Sequence, residues 1–207
     1  MARISNNRKG IGRKTFAILV DGETEKWYLD KLRTHENPIG ITIKPDLPNK
    51  KTLLEQFEAV KLNATIYDVS VWIVDLDVII LEKQENNFNN YLNEISGNTL
   101  FLNCVHILVN APSLEFWFLQ HVKDTGKYYS DCAAVIADLR RHHPLKDYSK
   151  SEKYFIRSNP DIYKRLRPHL FDAMTFAKKR GNYNPHAPQR GVAELYKLFD
   201  LLGIVVN

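Results

Sequence analysis

Acidic residues follow two apolar segments of this sequence, at positions where they could bind a metal ion. Asp21 ends the run 15–20, and Asp75 and Asp77 end the run 69–74. Both runs are apolar apart from Thr15 and Ser70, which is typical of strands buried on both faces of a parallel sheet. Carboxylates are ligands that magnesium takes in proteins, and bound divalent ions promote reactions of phosphate esters. The pattern therefore predicts a divalent metal site for chemistry on nucleic-acid phosphates.

Two further acids are placed to join this site. Glu25 lies four residues after Asp21, across the turn into a predicted helix, and Glu115 lies one helical turn after the apolar run 105–109. Ligands of parallel sheets gather outside the carboxyl ends of the strands, so these acids are expected in one crevice. Carboxylates brought together repel one another in the absence of a cation. The alternative stays open that an acid after a strand only caps the next helix.

The elements that position these acids alternate between strand and helix. Such alternation is typical of an α/β fold with parallel strands and right-handed crossovers. Strand alternation would place Asp75 and Asp77 on one side of the sheet. Thr52 and Glu55 have the spacing of a capping box. The predicted strands are 15–20, 39–43, 69–74 and 105–109, and the predicted helices are 23–34, 52–64, 82–96, 114–122, 130–141, 160–180 and 189–202.

Basic residues flank the acidic centre. Residues 138–190 contain thirteen Lys or Arg against five Asp or Glu, and residues 1–14 contain five basic residues and no acid. Phosphate contacts dominate affinity for nucleic acids, so RNA or DNA is the expected partner. A solvated basic surface is an equal alternative. The predicted division is a basic arm (1–14), an α/β domain (15–125) and a basic, mainly helical extension packed on it (126–207).

The composition argues against several classes of protein. No apolar run reaches the roughly 18 residues of a membrane span, and the first residues lack the apolar core of a secretory signal. The two cysteines, Cys104 and Cys132, are too few for a disulfide framework or a four-ligand zinc site. These features predict a cytoplasmic protein with no membrane partner. Since no Gly-x-x-x-x-Gly-Lys loop is present, energy-coupled action would need a separate ATPase partner. The oligomeric state is left open.

Three segments of the sequence resemble the signature blocks of the RloB family: Asp21–Glu25, Asp75–Asp77 and Asn110–His121. Tyr148-Ser-Lys150 is similar to a later Tyr-x-Lys element, and the similarity covers residues 13–180. The family is a Toprim-fold group linked to bacterial restriction loci and abortive phage defence. The resemblance implies a Toprim-like (Rossmannoid) sheet flanked by helices, with Mg²⁺ or Mn²⁺ as the cofactor.

The resemblance also implies roles for individual residues. Asp21 stands where the wider Toprim group has Glu and is one methylene shorter, whereas Glu25 resembles a second acid of the OLD-type nucleases. Ser113 and Glu115 match the third block. The expected metal ligands are Asp21, Glu25, Asp75 and Asp77, and these four with Glu115 are the expected catalytic residues. The expected substrate-binding residues are Ser113 and Lys150 and, by residue type, Arg140 and Arg141.

The function implied is that of a metal-dependent nuclease acting on RNA or DNA in anti-phage defence. A non-catalytic nucleic-acid- or nucleotide-binding sensor or partner subunit of a defence complex is the main alternative, and the shorter Asp21 keeps it open. Nucleotidyl transfer of the primase kind is a weaker alternative, because the chain is small and lacks zinc-ribbon cysteines.

Overall fold

The computed structural model describes residues 14–37 and 52–206, and these form an α/β structure around a mostly parallel four-stranded sheet. Strand β1 pairs in parallel with β2, β2 pairs in parallel with β3, and β4 is antiparallel to β3. Every residue of β1 and β2 is buried, because helices cover both faces of the sheet. The strands are β1 Phe16–Leu19, β2 Val69–Asp75, β3 Val105–Ala111 and β4 Val192–Ala193.

Nine α-helices are present in the described residues. They are α1 Glu23–Glu36, α2 Leu53–Ile66, α3 Leu76–Leu81, α4 Glu85–Gly97, α5 Leu114–Gln120, α6 Cys132–Leu139, α7 Ile162–Leu166, α8 Leu170–Arg180 and α9 Tyr196–Leu202. A π-helical turn covers Lys153–Arg157, and a 3-10 turn covers Arg167–His169. Within 14–37 and 52–206, the helices are all too short or too polar to cross a membrane.

The two faces of the sheet carry separate apolar cores. Val71 and Ile73 of β2 point to the face covered by α1 and α5–α9. Trp72 and Val74 point to the opposite face, which is covered by α2, α3 and α4. The alternation of side chains along a strand therefore divides the buried residues of β2 between two cores.

Several predicted elements are observed as expected. The helix predicted for 23–34 is α1, and the strands predicted for 69–74 and 105–109 are β2 and β3. The capping box is present, since the backbone N–H of Thr52 donates to Glu55 Oε2 at 2.7 Å and the Glu55 N–H donates to Thr52 Oγ1 at 3.3 Å. The strand predicted for 39–43 lies outside the described residues.

Three details of the prediction are wrong. Strand β2 ends at Asp75, and Asp77 lies in the first turn of α3 and not on the strand, where its N–H donates to Pro112 O at 3.0 Å. The helix predicted for 160–180 is broken between α7 and α8, because Pro168 cannot supply the N–H of a continuing helix. The helix predicted for 189–202 begins only at Tyr196, after the short antiparallel strand β4.

Glu194 joins the C-terminal segment to the edge of β3. Its side chain is 4% exposed, and its Oε2 accepts from the Val109 N–H at 2.9 Å. Its Oε1 accepts from the Tyr183 N–H at 3.1 Å and from Lys197 Nζ at 2.8 Å. The carboxylate therefore satisfies a backbone donor of β3 just beyond the two-residue strand β4.

The boundaries of the predicted domains stay a prediction.

Gly191 is expected to be required for the packing of β4. A Cβ at this position would overlap the ring of Phe116, which is fully buried on α5. Gly191→Ala should lower the free energy of unfolding by about 1 to 3 kcal/mol, the usual cost of overpacking. Urea unfolding followed by circular dichroism measures this change.

Gly97→Ala is the matched control for this prediction. An added Cβ at Gly97 meets nothing within 4 Å at the end of α4. Alanine favours a helix over glycine, so the control should be neutral or stabilising by up to about 1 kcal/mol. Equal effects of the two substitutions would contradict the packing argument.

Candidate metal centre

The carboxyl end of β2 places two acids beside the end of β3. Asp75 is the last residue of β2 and is 7% exposed. Asp77 follows in the first turn of α3, where a helix N-terminus favours negative charge. Oδ1 of each carboxylate is buried and has no hydrogen-bond partner among the described residues. Burying an acceptor without a hydrogen-bond partner costs free energy. A positively charged or hydrogen-donating ligand at this end of the sheet would therefore be stabilised by these two oxygens.

The turn from β1 into α1 adds two more acids. Asp21 lies between the strand and the helix, and Glu25 lies in the first turn of α1, 4% exposed. The Glu25 side chain folds back towards Gly22, where an added Cβ would lie 3.0 Å from Glu25 Oε2. Glycine at this position therefore leaves room for the carboxylate to stay in the crevice.

The pKa values show that these acids share one electrostatic environment. Burial, followed by the charges of Asp77 and Glu82, raises the pKa of Asp21 to about 6. Burial, together with the charges of Glu115 and Asp21, raises the pKa of Glu25 to about 7. Like charges held out of water favour the protonated form.

The surroundings of Asp75 favour its protonated form. Burial first, and then the charges of Glu25 and Glu115, raise the pKa of Asp75 well above its ordinary value. Burial also raises the pKa of Asp77, although hydrogen bonds from backbone N–H groups oppose the shift. We call the five acids that interact here the acidic crevice: Asp21, Glu25, Asp75, Asp77 and Glu115.

Glu115 is the exception within the acidic crevice, because it remains ionised. Its Oε1 accepts from Tyr148 OH at 2.7 Å and from Lys150 Nζ at 3.0 Å. Its Oε2 accepts from Ser113 Oγ at 2.8 Å and from Cys132 Sγ at 3.1 Å. Burial alone would raise the pKa of Glu115, but the charge of Lys150 and these hydrogen bonds lower it. Both oxygens of Glu115 are therefore occupied.

Lys150 supplies a positive charge that acts on several of the acids. Burial alone would lower the pKa of Lys150, but the carboxylate of Glu115 raises it above its ordinary value. The same ammonium group lowers the pKa values of Asp21, Glu25 and Asp77, partly offsetting their burial. Lys150 therefore acts as an internal counter-ion of the acidic crevice.

Removal of the Lys150 charge should destabilise the protein and raise the pKa of Glu115. Lys150→Met leaves Oε1 of a fully buried carboxylate short of one donor. We expect a loss of about 1 to 3 kcal/mol at pH 8, because the half-exposed site lets water replace the ammonium in part. The loss should shrink on acidification as Glu115 takes up a proton. Chemical unfolding between pH 5 and 8 measures it, with the exposed Lys153→Met as control. A loss equal to that of the control at every pH would disprove the counter-ion role.

The predicted substrate-binding residues have different surroundings. Ser113 is buried and donates to Glu115, and Lys150 faces the same carboxylate. Arg140 is exposed, and its Nε donates to the backbone carbonyl of Tyr148 at 2.9 Å, which ties α6 to the segment carrying Lys150. Arg141 is exposed at the end of α6. The structure thus brings Ser113 and Lys150 to the acidic crevice and places the two arginines outside it.

Asn110 is a polar residue of the site that the sequence analysis did not select. It is paired in register with Asp75, so the two side chains point to the same face of the sheet. Asn110 is fully buried, and its Oδ1 and Nδ2 have no hydrogen-bond partner within the part of the chain that the structure describes. The sequence signal that could have pointed to Asn110 was its position directly before Ala111-Pro112 in the third block. Tyr148 was likewise visible only as part of the Tyr-x-Lys element.

The carboxylates of the acidic crevice fit a divalent ion that keeps several water ligands better than an ion coordinated only by protein side chains. Among residues 14–37 and 52–206, no three His, Cys, Asp or Glu side chains are grouped so that they could hold a metal ion together. Magnesium commonly uses one or two protein carboxylates and completes its octahedron with water and substrate phosphate. The unpaired oxygens of Asp75 and Asp77 match that arrangement.

In open α/β sheets, ligands commonly bind outside the carboxyl ends of the strands, and the acids that follow β1 and end β2 lie at this edge. The chain matches the model of the RloB-like protein family over residues 16–202, and it belongs to that family. Neither the curated proteins nor the solved structures include a match to this chain.

Proposed function

We propose that this RloB-like protein is a metal-dependent nuclease with a Toprim-type fold and site, which cleaves phosphodiesters of RNA or DNA in anti-phage defence. The observation that carries the proposal is the pair of buried, unpartnered oxygens on Asp75 and Asp77 at the end of the central strand. Carboxylates with raised pKa values in a crevice are typical of functional sites. The family resemblance of the three acidic segments supports the same activity and the defence role.

The residues of the acidic crevice would have different roles in this reaction. Asp75 and Asp77 would hold Mg²⁺ or Mn²⁺, with Asp21 and Glu25 at the other side of the crevice. The bound ion would supply charge stabilisation at the phosphate and lower the pKa of water. In the metal-free chain the pKa of Glu25 is raised to about 7; a bound cation would lower it, so Glu25 would act as a carboxylate ligand or general base.

The Lys150 ammonium would contact the substrate at the same place. Its Nζ is held 3.0 Å from Glu115 Oε1, and its side chain is 42% exposed, so it can also reach a phosphate oxygen. Glu115, Ser113 and Tyr148 would keep Lys150 in position without touching the reacting atoms. A lysine contact positions a phosphate but carries no sequence information.

A cleavage assay tests the proposal. End-labelled single- and double-stranded RNA and DNA are incubated with the protein in Mg²⁺, in Mn²⁺ and in EDTA, and the products are separated on denaturing gels. We expect fragments from at least one substrate with metal and none with EDTA. Cleavage that persists in EDTA would exclude a metal-dependent mechanism.

A non-catalytic sensor is the second candidate, and the occupied oxygens of Glu115 favour it. In this case Mg²⁺ would stabilise the protein against unfolding, yet all four substrates would stay intact. No stabilisation by millimolar Mg²⁺ or Mn²⁺ would reject the metal site under both candidates.

A further inference from the structure

A cavity of about 330 Å³ opens beside Asp77. It lies between the first turns of α3 and the segment that leads into α6, next to the end of β3. The volume is at the lower end of the range of about 300 to 1,000 Å³ for small-ligand pockets. Its lining includes Asp77, Ile80, Leu81, Pro112, Tyr128 and Arg190.

The chemistry of the cavity suits a flat, largely apolar group with polar edges. Leu81 is 82% exposed, Tyr128 is 48% exposed and Ile80 is 44% exposed, so several large apolar side chains meet water here. Ser130, Asp131 and Arg190 add donors and acceptors at the rim. Pockets for small ligands are mainly apolar with a few oriented polar groups. Aromatic side chains such as Tyr128 provide stacking surfaces for nucleobases.

Asp77 belongs both to the wall of this cavity and to the acidic crevice. A ligand that spans the two places would have a phosphate at the divalent ion that the acids would hold and a planar group in the cavity. A nucleotide unit has this arrangement. A base within a duplex is paired and stacked and would have to leave the helix to enter the cavity.

We propose that this cavity receives one unpaired nucleobase of a single-stranded nucleic acid, with the adjoining phosphate at the divalent ion that Asp77 would hold. The assignment of the phosphate rests on the proposed function, whereas the assignment of the base rests on the cavity itself. The substrate class is therefore single-stranded RNA or DNA, or an unpaired region of a duplex.

Binding measurements that separate base from backbone test this assignment. Fluorescence anisotropy in Ca²⁺ gives the Kd values for three labelled probes of equal length: a single strand, its blunt duplex, and a chain of abasic deoxyribose phosphates. The single strand should bind at least about tenfold more tightly than either other probe, as expected for one stacked base. Equal affinity for the three probes would overturn the proposal.

Two variants of the cavity place the effect at this site. Tyr128→Ala removes a half-exposed ring, and Ser130→Trp fills the exposed rim. Each should weaken binding of the single strand by about tenfold and leave binding of the abasic chain unchanged. Phe171→Ala, which removes a 58% exposed ring on α8, is the control. Unchanged single-strand affinity in both cavity variants would also overturn the proposal.

The outcomes distinguish this proposal from the nuclease proposal. Base-dependent binding without cleavage of any substrate would support the cavity assignment and reject the nuclease. Metal-dependent cleavage that is unaffected by the cavity variants and by loss of bases would support the nuclease and reject the cavity assignment. Sedimentation velocity without nucleic acid covers another occupant: self-association abolished by Ser130→Trp would assign the cavity to a second copy of the chain and overturn the proposal.

Discussion

Replacement of Asp75 and Asp77 by asparagine is expected to abolish metal-dependent cleavage and the stabilisation of the protein by Mg²⁺. Asparagine keeps the shape of each side chain and removes its charge, so the ion would lose the two carboxylates with unpaired oxygens. The cleavage rate should fall at least about a hundredfold, because a bound ion supplies several kcal/mol of stabilisation in the transition state. Gel assays measure the rate, and thermal unfolding with increasing Mg²⁺ measures the stabilisation.

The same chemical change at two exposed acids is the control. Asp172→Asn combined with Asp200→Asn alters the charge of α8 and α9 equally and leaves the acidic crevice intact. This control should cleave and respond to Mg²⁺ like the wild type. If Mg²⁺ raised the unfolding temperature of the Asp75, Asp77 variant as much as that of the wild type, the ion would bind elsewhere.

Glu25→Gln should stabilise the metal-free protein at pH 8 and have little effect at pH 4. Glu25 keeps its proton to about pH 7 in the folded chain but loses it near its ordinary pKa of 4.5 in the unfolded chain. Between these values the folded chain holds more protons, so the contribution of Glu25 to the free energy of unfolding falls as pH rises. The resulting penalty at pH 8 is on the order of 3 kcal/mol, and neutral glutamine removes it.

Urea unfolding in EDTA at several pH values measures this difference between wild type and variant. Comparing the two proteins at each pH removes the contributions of other titrating groups. Glu23→Gln, at an exposed position in the same turn, is the matched control for the loss of a carboxylate from α1. A stability difference that stays constant from pH 4 to 8 would falsify the assignment of the raised pKa to Glu25.

The acids at the strand ends could be predicted because strands buried on both faces have a strong sequence signal. Such strands rarely contain a charged residue within the sheet, so the first charged residue marks the carboxyl end. Asp21 and Asp75 follow this rule in β1 and β2. The direction of the chain then placed both acids at one edge of the sheet.

The conformation of residues 76–81 could not be predicted in the same way. Val78, Ile79 and Ile80 are β-branched and favour strands, yet they belong to α3. The pairing of β2 with β3 ends at Asp75 and Asn110, and the Asp77 N–H then donates to the Pro112 carbonyl. Tertiary contacts therefore overrode the local preference. Strand β4 has only two residues, too few to show a period of two.

The hydrogen-bond and ion-pair partners of Glu115 could not be predicted together from local sequence patterns. They come from the residue before α5, from the start of α6 and from the Tyr-x-Lys element, which are far apart in the sequence. The family resemblance pointed to Ser113, Tyr148 and Lys150, but only the folded chain shows that these three residues and Cys132 all donate to Glu115. The same holds for Asn110, whose importance follows from its register with Asp75.

The pairing of β3 with β4 has a consequence for the order in which the protein matures on the ribosome. Residues 105–111 are synthesised about eighty residues before β4 and Glu194, which satisfy their outer edge. Domains tend to fold from the N-terminus during synthesis, and an open edge is prone to pair with other chains. The nascent chain therefore carries an open strand edge until β4 has been made. Products that stop before residue 192 should keep this edge of β3 open and be prone to aggregate.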